Sequence, residues 1–360
     1  MTPLSICLVL LTAAPQDRPR LRDLGVAVGQ LPPGEHNAIT DVEGVLVGHT
    51  TLIEGDAIRT GVTVVLPHGG NLFADKVPAA ISVANGYGKL IGYTQVRELG
   101  AIESPIALTN TLNVGLVADA LVTHALSTPG NERVRSVNVV VGETNDGRLN
   151  DIRGRHVKAA HVAAAIERAS AGAVDEGSVG AGTGTICFGW KGGIGTSSRL
   201  VLGHRVGVLV QTNFGGDLAI AGTPIHDQLR PERESTTRRP ERDGEDPDDG
   251  SCMIVIATDA AMSARNLERL ARRSFAGMAR TGASFSNGSG DYAIAFSTSR
   301  GKAPAVSNAR MSPFFRAVAE ATEEAILNSL CRATAADSAS AAIPPIPIER
   351  LREILAGKRR

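Results

Sequence analysis

Short apolar runs alternate with glycine turns over residues 21–228, the longer part of the chain. Runs of Val, Ile and Leu bounded by turn residues are typical of strands in a buried sheet. Seven runs predict strands: "VLVGHTTL", "GVTVVLP", "AAISVAN", "PIALTNT", "SVNVVVGE", "TICFGW" and "RVGVLVQTN". Residues 114–126 and 156–171 are Ala-rich and predict helices, and in the second the apolar positions recur at helical spacing. This alternation predicts an α/β fold.

The same pattern continues after residue 250, with strands predicted at residues 252–257 and 291–297. The helix predicted between them is amphipathic, and its apolar face consists of Leu267, Leu270, Ala271, Phe275 and Met278. A further helix is predicted at residues 312–330. An Ala/Ser/Pro linker then leads to a short helix around Arg350.

Residues 230–250, "RPERESTTRRPERDGEDPDDG", separate these two parts with charges of both signs and three prolines. Such a segment buries too little apolar area to offset the entropy of ordering it, so it predicts an exposed, mobile loop. The loop ends at Gly250, and the apolar strand begins one residue after Ser251. The most solvated segment of the chain therefore meets a buried strand at a Gly-Ser bond.

The composition, 42% hydrophobic and 21% charged over 360 residues, is that of a globular protein with a large core. Lys and Arg number 37 and Asp and Glu also number 37, so the basic excess that nucleic-acid binding needs is absent. The glycine-rich "GAGTGT" and "KGGIGTSSR" are not phosphate-binding Walker sequences and predict close-packed turns. The four cysteines form no C-x-x-C pair, and His156 and His161 are five apart. We therefore predict no metal and no cofactor.

The first fifteen residues, "MTPLSICLVLLTAAP", contain an apolar stretch at residues 4–11 followed by small residues. This stretch is too short to span a bilayer, so no membrane association is predicted. Residues 1–20 are interpreted as a signal peptide or a disordered extension. A signal peptide would place the protein in the periplasm or outside the cell, and an extension would leave it in the cytoplasm.

The Gly250–Ser251 bond has two interpretations. In one it simply ends a surface loop. In the other, the Ser251 hydroxyl attacks the Gly250 carbonyl, and hydrolysis of the resulting ester makes Ser251 the first residue of a new chain. A free α-amine has a reference pKa of about 7.7 to 8.0, so it can act as general base for its own hydroxyl.

Nine motifs, in order, resemble peptidase family S58, the L-aminopeptidase/D-amidase-esterases and β-aminopeptidases. They are "NAITDVEGVLVGHTT", "RTGVTVVLPHGGNLF", "KVPAAISVANGYGK", "LTNTLNVG", "GETNDGRLND", "GSVGAGTGTICFGWKGGIGTSSR", "QTNFG", "DGSCMIVIATDA" and "NGSGDYAIAFSTS". The resemblance implies a four-layer αββα sandwich, similar in layering to N-terminal nucleophile hydrolases but connected differently. It also implies cleavage into an α chain, residues 21–250, and a β chain, residues 251–360. The two chains would stay together in a homo-oligomer such as a tetramer of αβ pairs.

The resemblance also implies the catalytic residues. Ser251 matches the nucleophile, Asn213 the oxyanion donor, and Ser289 a second serine that assists proton transfer. Asp291 stands where the family has an acidic group. Glu143 matches the carboxylate that pairs with the free amino group of the substrate, as recognition of an N-terminus requires.

Together these residues predict a self-processing serine aminopeptidase or amidohydrolase. Its partners would be short peptides, amides or esters with a free amino terminus. Arg148 replaces an aromatic residue of the family pattern, which leaves open the pocket shape and the preference for α- or β- and D- or L-amino acids. Two alternatives remain: a self-processing acyltransferase of the ornithine acetyltransferase kind, which normally has Thr at the cleavage point, and an uncleaved binding protein.

Overall fold

Two β-sheets lie face to face between two layers of helices in the computed structural model, which describes residues 18–231, 250–300 and 305–357. The strands in the first half are β1 (Leu46–Glu54), β2 (Ile58–Leu66), β3 (Val77–Gly86), β4 (Ala101–Ile102), β5 (Ile106–Asn110) and β6 (Val140–Thr144). They are followed by β7 (Ile186–Cys187), β8 (Trp190–Lys191), β9 (Ile194–Val201), β10 (His204–Asn213), β11 (Ala219–Ile220), β12 (Thr223–Pro224), β13 (Ser251–Thr258), β14 (Gly290–Ser297), β15 (Ala336–Asp337) and β16 (Ala342–Ile343). The helices are α1 (Tyr93–Leu99), α2 (Val114–Ser127), α3 (Ala159–Glu167), α4 (Ala264–Arg280), α5 (Met311–Arg332) and α6 (Ile348–Gly357).

The smaller sheet has the strand order β1-β2-β5-β6, and the larger has the order β4-β3-β14-β13-β10-β9. One apolar core fills the space between the sheets. A second packs α4 and α5 against the outer face of the larger sheet, and a third packs α2 and α3 against the smaller sheet. This arrangement confirms the predicted four-layer αββα sandwich.

Side chains along β13 alternate between two of these cores, as the two-residue period of a strand requires. Cys252, Ile254 and Ile256 face the helices, whereas Met253 and Val255 face the other sheet. Ser251 lies two residues before Met253 and is therefore on the same face of the strand, so its hydroxyl is on the side that faces the smaller sheet. Cys252 is a core residue, as the alternation predicts.

The observed helices α2, α4 and α5 confirm the predicted ones, and α3 is shorter than residues 156–171. Ser263 precedes α4 and caps it, because its hydroxyl accepts a hydrogen bond from the Asn266 amide. The turn predicted for "KGGIGTSSR" is wrong in part, because residues 194–201 form the edge strand β9. "TICFGW" is not one strand but the short hairpin β7-β8.

Residues 1–17 and 232–249 lie outside the described part of the chain, and with them most of the predicted signal segment and charged loop. Arg18 donates hydrogen bonds to the carbonyls of Cys331 and Ile346, so the described chain is already attached to the fold at its first residue. Within the described residues, no helix combines the length and apolar character needed to cross a bilayer.

Candidate active site

The Gly250–Ser251 bond lies at the first residue of β13, in the middle of the larger sheet. Ser251 is 6% exposed and is paired in register with Asn213 of β10 and Gly290 of β14. The Gly290 amide donates to the carbonyl oxygen of Gly250 at 3.0 Å and lies 3.3 Å from the Ser251 hydroxyl oxygen. One backbone N–H therefore contacts both the carbonyl that cleavage would attack and the hydroxyl that would attack it.

The position of Gly250 leaves no room for a side chain. A Cβ atom there would lie 2.0 Å from the carbonyl oxygen of Asn213 and 2.6 Å from the Cα atom of Phe214. Both are backbone atoms at the end of the neighbouring strand β10 and cannot rotate away. Glycine is required because the backbone on both sides is held by the sheet.

Asn213 ends β10 directly opposite Ser251. Its Oδ1 accepts a hydrogen bond of 3.0 Å from the amide of Ile186, and the residue is 9% exposed. Within residues 18–231, 250–300 and 305–357, the Nδ2 group donates to no protein acceptor. A neutral N–H donor without a partner is what an oxyanion site offers to a developing negative charge.

Ser289 and Asp291 flank Gly290, and both are fully buried or nearly so. Asp291 pairs with Cys252 and shares its face of the sheet, opposite to the Ser251 hydroxyl. Burial raises the pKa of Asp291 to about 6, although the nearby Ser289 hydroxyl and Cys252 amide oppose this shift. Neither group has the geometry of a hydrogen bond to the carboxyl. Asp291 thus lies beside the backbone of the nucleophile rather than beside its hydroxyl, with Ser289 close to it.

Glu143, in β6, is 2% exposed and carries two hydrogen bonds. The Lys89 amide donates to Oε1 at 3.0 Å, and the Thr111 hydroxyl donates to Oε2. Burial raises the pKa of Glu143, and these two donors and the charge of Lys89 oppose the shift. Thr111 follows β5, which runs parallel to β6, so the two residues meet where adjacent parallel strands end.

The segment after β3 lies between Glu143 and the nucleophile. A Cβ atom at Gly290 would lie 3.2 Å from the Ser251 hydroxyl oxygen and 3.1 Å from the Cα atom of Gly88. A Cβ atom at Gly88 would in turn lie 3.3 Å from Glu143 Oε1 and 3.3 Å from the Tyr292 hydroxyl. Gly88 therefore lies between the hydroxyl and the buried carboxyl, and the structure brings these two predicted groups into one site.

Sequence reasoning missed three contributors to this site. Thr111 and Tyr292 lie within the motifs that resemble the family, but the sequence assigns them no role. Gly290 acts through its backbone, which no residue pattern identifies. Arg148 has an exposed side chain, and its carbonyl accepts a hydrogen bond from Ser340. Among the described residues, no three His, Cys, Asp or Glu side chains are grouped to hold a metal ion.

Comparison with known proteins gives consistent matches. The model of peptidase family S58 matches residues 37–342. A β-peptidyl aminopeptidase BapA from Sphingosinicella microcystinivorans is 42% identical over 98% of this chain and 96% of its own length.

Two solved structures match as well. A β-aminopeptidase of Burkholderia sp. superposes with a TM-score of 0.84 at 42% identity, over 94% of this chain and 98% of the other. The L-aminopeptidase D-Ala-esterase/amidase of Ochrobactrum anthropi, described as a prototype of the serine aminopeptidases, gives 0.86 at 34% identity, over 95% and 99%. That structure is described as a new variant of the N-terminal nucleophile hydrolase fold, and the present chain has the same fold.

Proposed function

This chain belongs to peptidase family S58 and is an aminopeptidase, and we propose that it cleaves its own Gly250–Ser251 bond to expose the serine that then hydrolyses its substrates. The observation that carries the proposal is the contact of the Gly290 amide with both the Gly250 carbonyl oxygen and the Ser251 hydroxyl oxygen. Nucleophile, electrophile and a backbone donor are already together in the uncut chain.

In the proposed maturation, the Ser251 oxygen forms a bond to the Gly250 carbonyl carbon and the hydroxyl gives up its proton. The oxyanion that develops on the Gly250 carbonyl is stabilised by the Gly290 N–H. The C–N bond then breaks, the Ser251 nitrogen takes the proton that the hydroxyl gave up, and an ester links the two segments. Water hydrolyses this ester to a Gly250 carboxylate and a Ser251 that carries a free α-amine.

In the proposed turnover, that amine accepts the hydroxyl proton as the Ser251 oxygen attacks the substrate carbonyl. Asn213 Nδ2 stabilises the oxyanion, the leaving amine takes the proton from the Ser251 α-ammonium, and water hydrolyses the acyl-enzyme. Glu143 binds the ammonium group of the substrate as its third hydrogen-bond partner. We propose that Ser289 and Asp291, which flank the Gly290 paired with Ser251, hold and orient the new α-amine.

The sheet explains how the two chains would stay together after cleavage. β13 pairs with β10 over eight residues, and β14 pairs with β3 over seven, so the β chain is hydrogen-bonded to the α chain on both sides. The cores on both faces of the sheet likewise contain residues from both chains. We propose that such αβ pairs assemble into a homo-oligomer, which light scattering of the processed protein tests.

The proposed substrates are short peptides, amides or esters that begin with a β-amino acid. Two β-peptidyl aminopeptidases, 42% and 41% identical to this chain, support this class over α-aminoacyl substrates. The test is kcat/KM for β-alanyl, L-alanyl, D-alanyl and propionyl p-nitroanilides. The β-alanyl compound should be cleaved fastest and the propionyl compound, which has no amine, slowest. Equal cleavage of the propionyl compound would contradict an aminopeptidase, and faster L-alanyl cleavage would assign the α-aminoacyl class.

A further inference from the structure

Lys191 is a fully buried lysine that the proposed reaction does not use. Its Nζ donates to three backbone carbonyl oxygens, at 2.8 Å to Gly182, 2.9 Å to Thr185 and 2.7 Å to Gly192. Burial lowers the pKa of Lys191 to about 7, and the nearby Asp146 carboxyl opposes this shift. The three acceptors match the three N–H donors of the ammonium form, whereas a neutral amine has only two.

One of these acceptors belongs to the peptide group that holds Asn213. The Thr185 carbonyl and the Ile186 N–H are the two ends of a single amide, and that N–H donates to Asn213 Oδ1 at 3.0 Å. The Thr185 carbonyl also accepts a hydrogen bond of 3.0 Å from the Gly192 amide. A continuous chain of hydrogen bonds therefore runs from a buried charge through one peptide to the side chain opposite Ser251.

The orientation of Asn213 decides what it can do. Its carboxamide has an oxygen end and an NH₂ end of nearly equal size, and only the NH₂ end can donate to an oxyanion. The Ile186 N–H binds the oxygen end and so excludes the inverted orientation. A cation on the carbonyl of that same peptide polarises the amide and strengthens its N–H as a donor.

We propose that Lys191 is a positioning residue of the oxyanion site, which acts through the Thr185–Ile186 peptide to keep the Asn213 NH₂ group available to the reacting carbonyl. This inference rests on the proposed role of Asn213. Lys191 touches neither Ser251 nor substrate, so its effect must depend on Asn213. That dependence separates positioning from a general contribution to folding.

The test is a double-mutant cycle with Lys191→Met and Asn213→Ala, measured as kcat and KM for one p-nitroanilide on processed protein. Removal of an oxyanion donor typically lowers kcat about a hundred- to a thousandfold, so Asn213→Ala should fall in that range. Lys191→Met alone should lower kcat about tenfold or more and change KM less than about threefold. In the Asn213→Ala background it should cost less than about threefold, because the group it positions is gone.

Each outcome addresses one claim. Equal losses from Lys191→Met in both backgrounds, or no loss in the unmodified background, would overturn the positioning role. Normal kcat in Asn213→Ala would instead overturn the assignment of the oxyanion donor. The matched control is Gln211→Met, because Gln211 is also buried and donates to Ala181 of the same glycine-rich segment without contacting the Thr185–Ile186 peptide. Gln211→Met should change kcat by the same factor in the unmodified and the Asn213→Ala backgrounds.

A second measurement applies even to variants that do not mature. The side-chain NH₂ signals of Asn213, in protein labelled with ¹⁵N-asparagine and assigned with Asn213→Ala, report its orientation directly. They should be a resolved, inequivalent pair in the unmodified chain and should shift or broaden in Lys191→Met. Unchanged signals in a folded Lys191→Met chain would overturn the proposal.

Discussion

Replacement of Glu143 by Gln tests how the site recognises an amino terminus. The side chain keeps its size, and both of its present partners can still be satisfied. The Lys89 N–H can donate to the Gln oxygen, and the Thr111 hydroxyl, now a donor, can turn and accept from the Gln NH₂ group. The charge is lost, whereas the local structure and self-cleavage should be retained.

The magnitude follows from the one interaction removed. A charge-assisted hydrogen bond contributes about 1.5–3 kcal/mol, which corresponds to roughly ten- to a hundredfold in kcat/KM. Glu143 is almost completely buried, so solvent screens this interaction little and the upper part of the range is expected. The unmodified enzyme should discriminate against the propionyl anilide, relative to the β-alanyl anilide, by at least the same factor.

The assay compares both anilides with processed enzyme, Glu143→Gln and the control Thr111→Ser, which keeps the hydroxyl that donates to Glu143. Glu143→Gln should lose activity on the β-alanyl compound and most of its preference for an amine. Thr111→Ser should retain both. If Glu143→Gln cleaves the β-alanyl compound normally, or still prefers it over the propionyl compound by the original factor, Glu143 is not the amine anchor.

Two further predictions concern the Gly250–Ser251 bond and the residues beside it. Gly250→Ala should slow self-cleavage more than about tenfold, because relieving the clash with Asn213 moves the Gly250 carbonyl away from the Gly290 amide; a gel time course at an unchanged rate would refute this. Burial raises the pKa of Asp291 from 3.8 to about 6 in the uncut chain, a state that Ser251→Ala would preserve. The folded state then holds a proton that the unfolded state releases, so the free energy of unfolding should fall by about 2 kcal/mol as pH rises from about 4 to 7. In the Ser251→Ala chain, Asp291→Asn should remove this fall in the free energy of unfolding. Urea unfolding that shows the same pH dependence with and without Asp291→Asn would contradict the raised pKa.

The apolar periods predicted most of the strands and helices, and the family resemblance implied their arrangement in four layers. Periodicity missed β9 because that strand buries polar side chains. Ser197 donates to the Ala321 carbonyl of α5, and Arg199 pairs with Glu324 of the same helix. A period of apolar residues cannot reveal a strand whose buried groups are satisfied by partners more than a hundred positions away.

The candidate site was likewise predictable only in part. The Gly250–Ser251 bond could be identified from the sequence, because a charged segment changes there abruptly to an apolar strand. The family resemblance pointed to Asn213 and Glu143. The face of the sheet on which Asp291 lies could not be predicted, because it depends on the parallel register of β13 and β14. The contact between Gly290 and the Gly250 carbonyl depends on the same register and involves backbone atoms alone.

The central claim is that one hydroxyl performs both maturation and turnover. The most direct measurement is the intact mass and the anilide hydrolysis of purified wild-type, Ser251→Ala and Ser251→Cys proteins. The wild type should consist of two chains, one of them beginning at Ser251, and Ser251→Ala should be a single folded, inactive chain. Ser251→Cys should still be processed, with amide turnover greatly reduced, because a thiol can attack Gly250 in a site arranged around oxygen. Normal turnover by Ser251→Ala, or an active wild type that is uncut at Gly250–Ser251, would contradict the account.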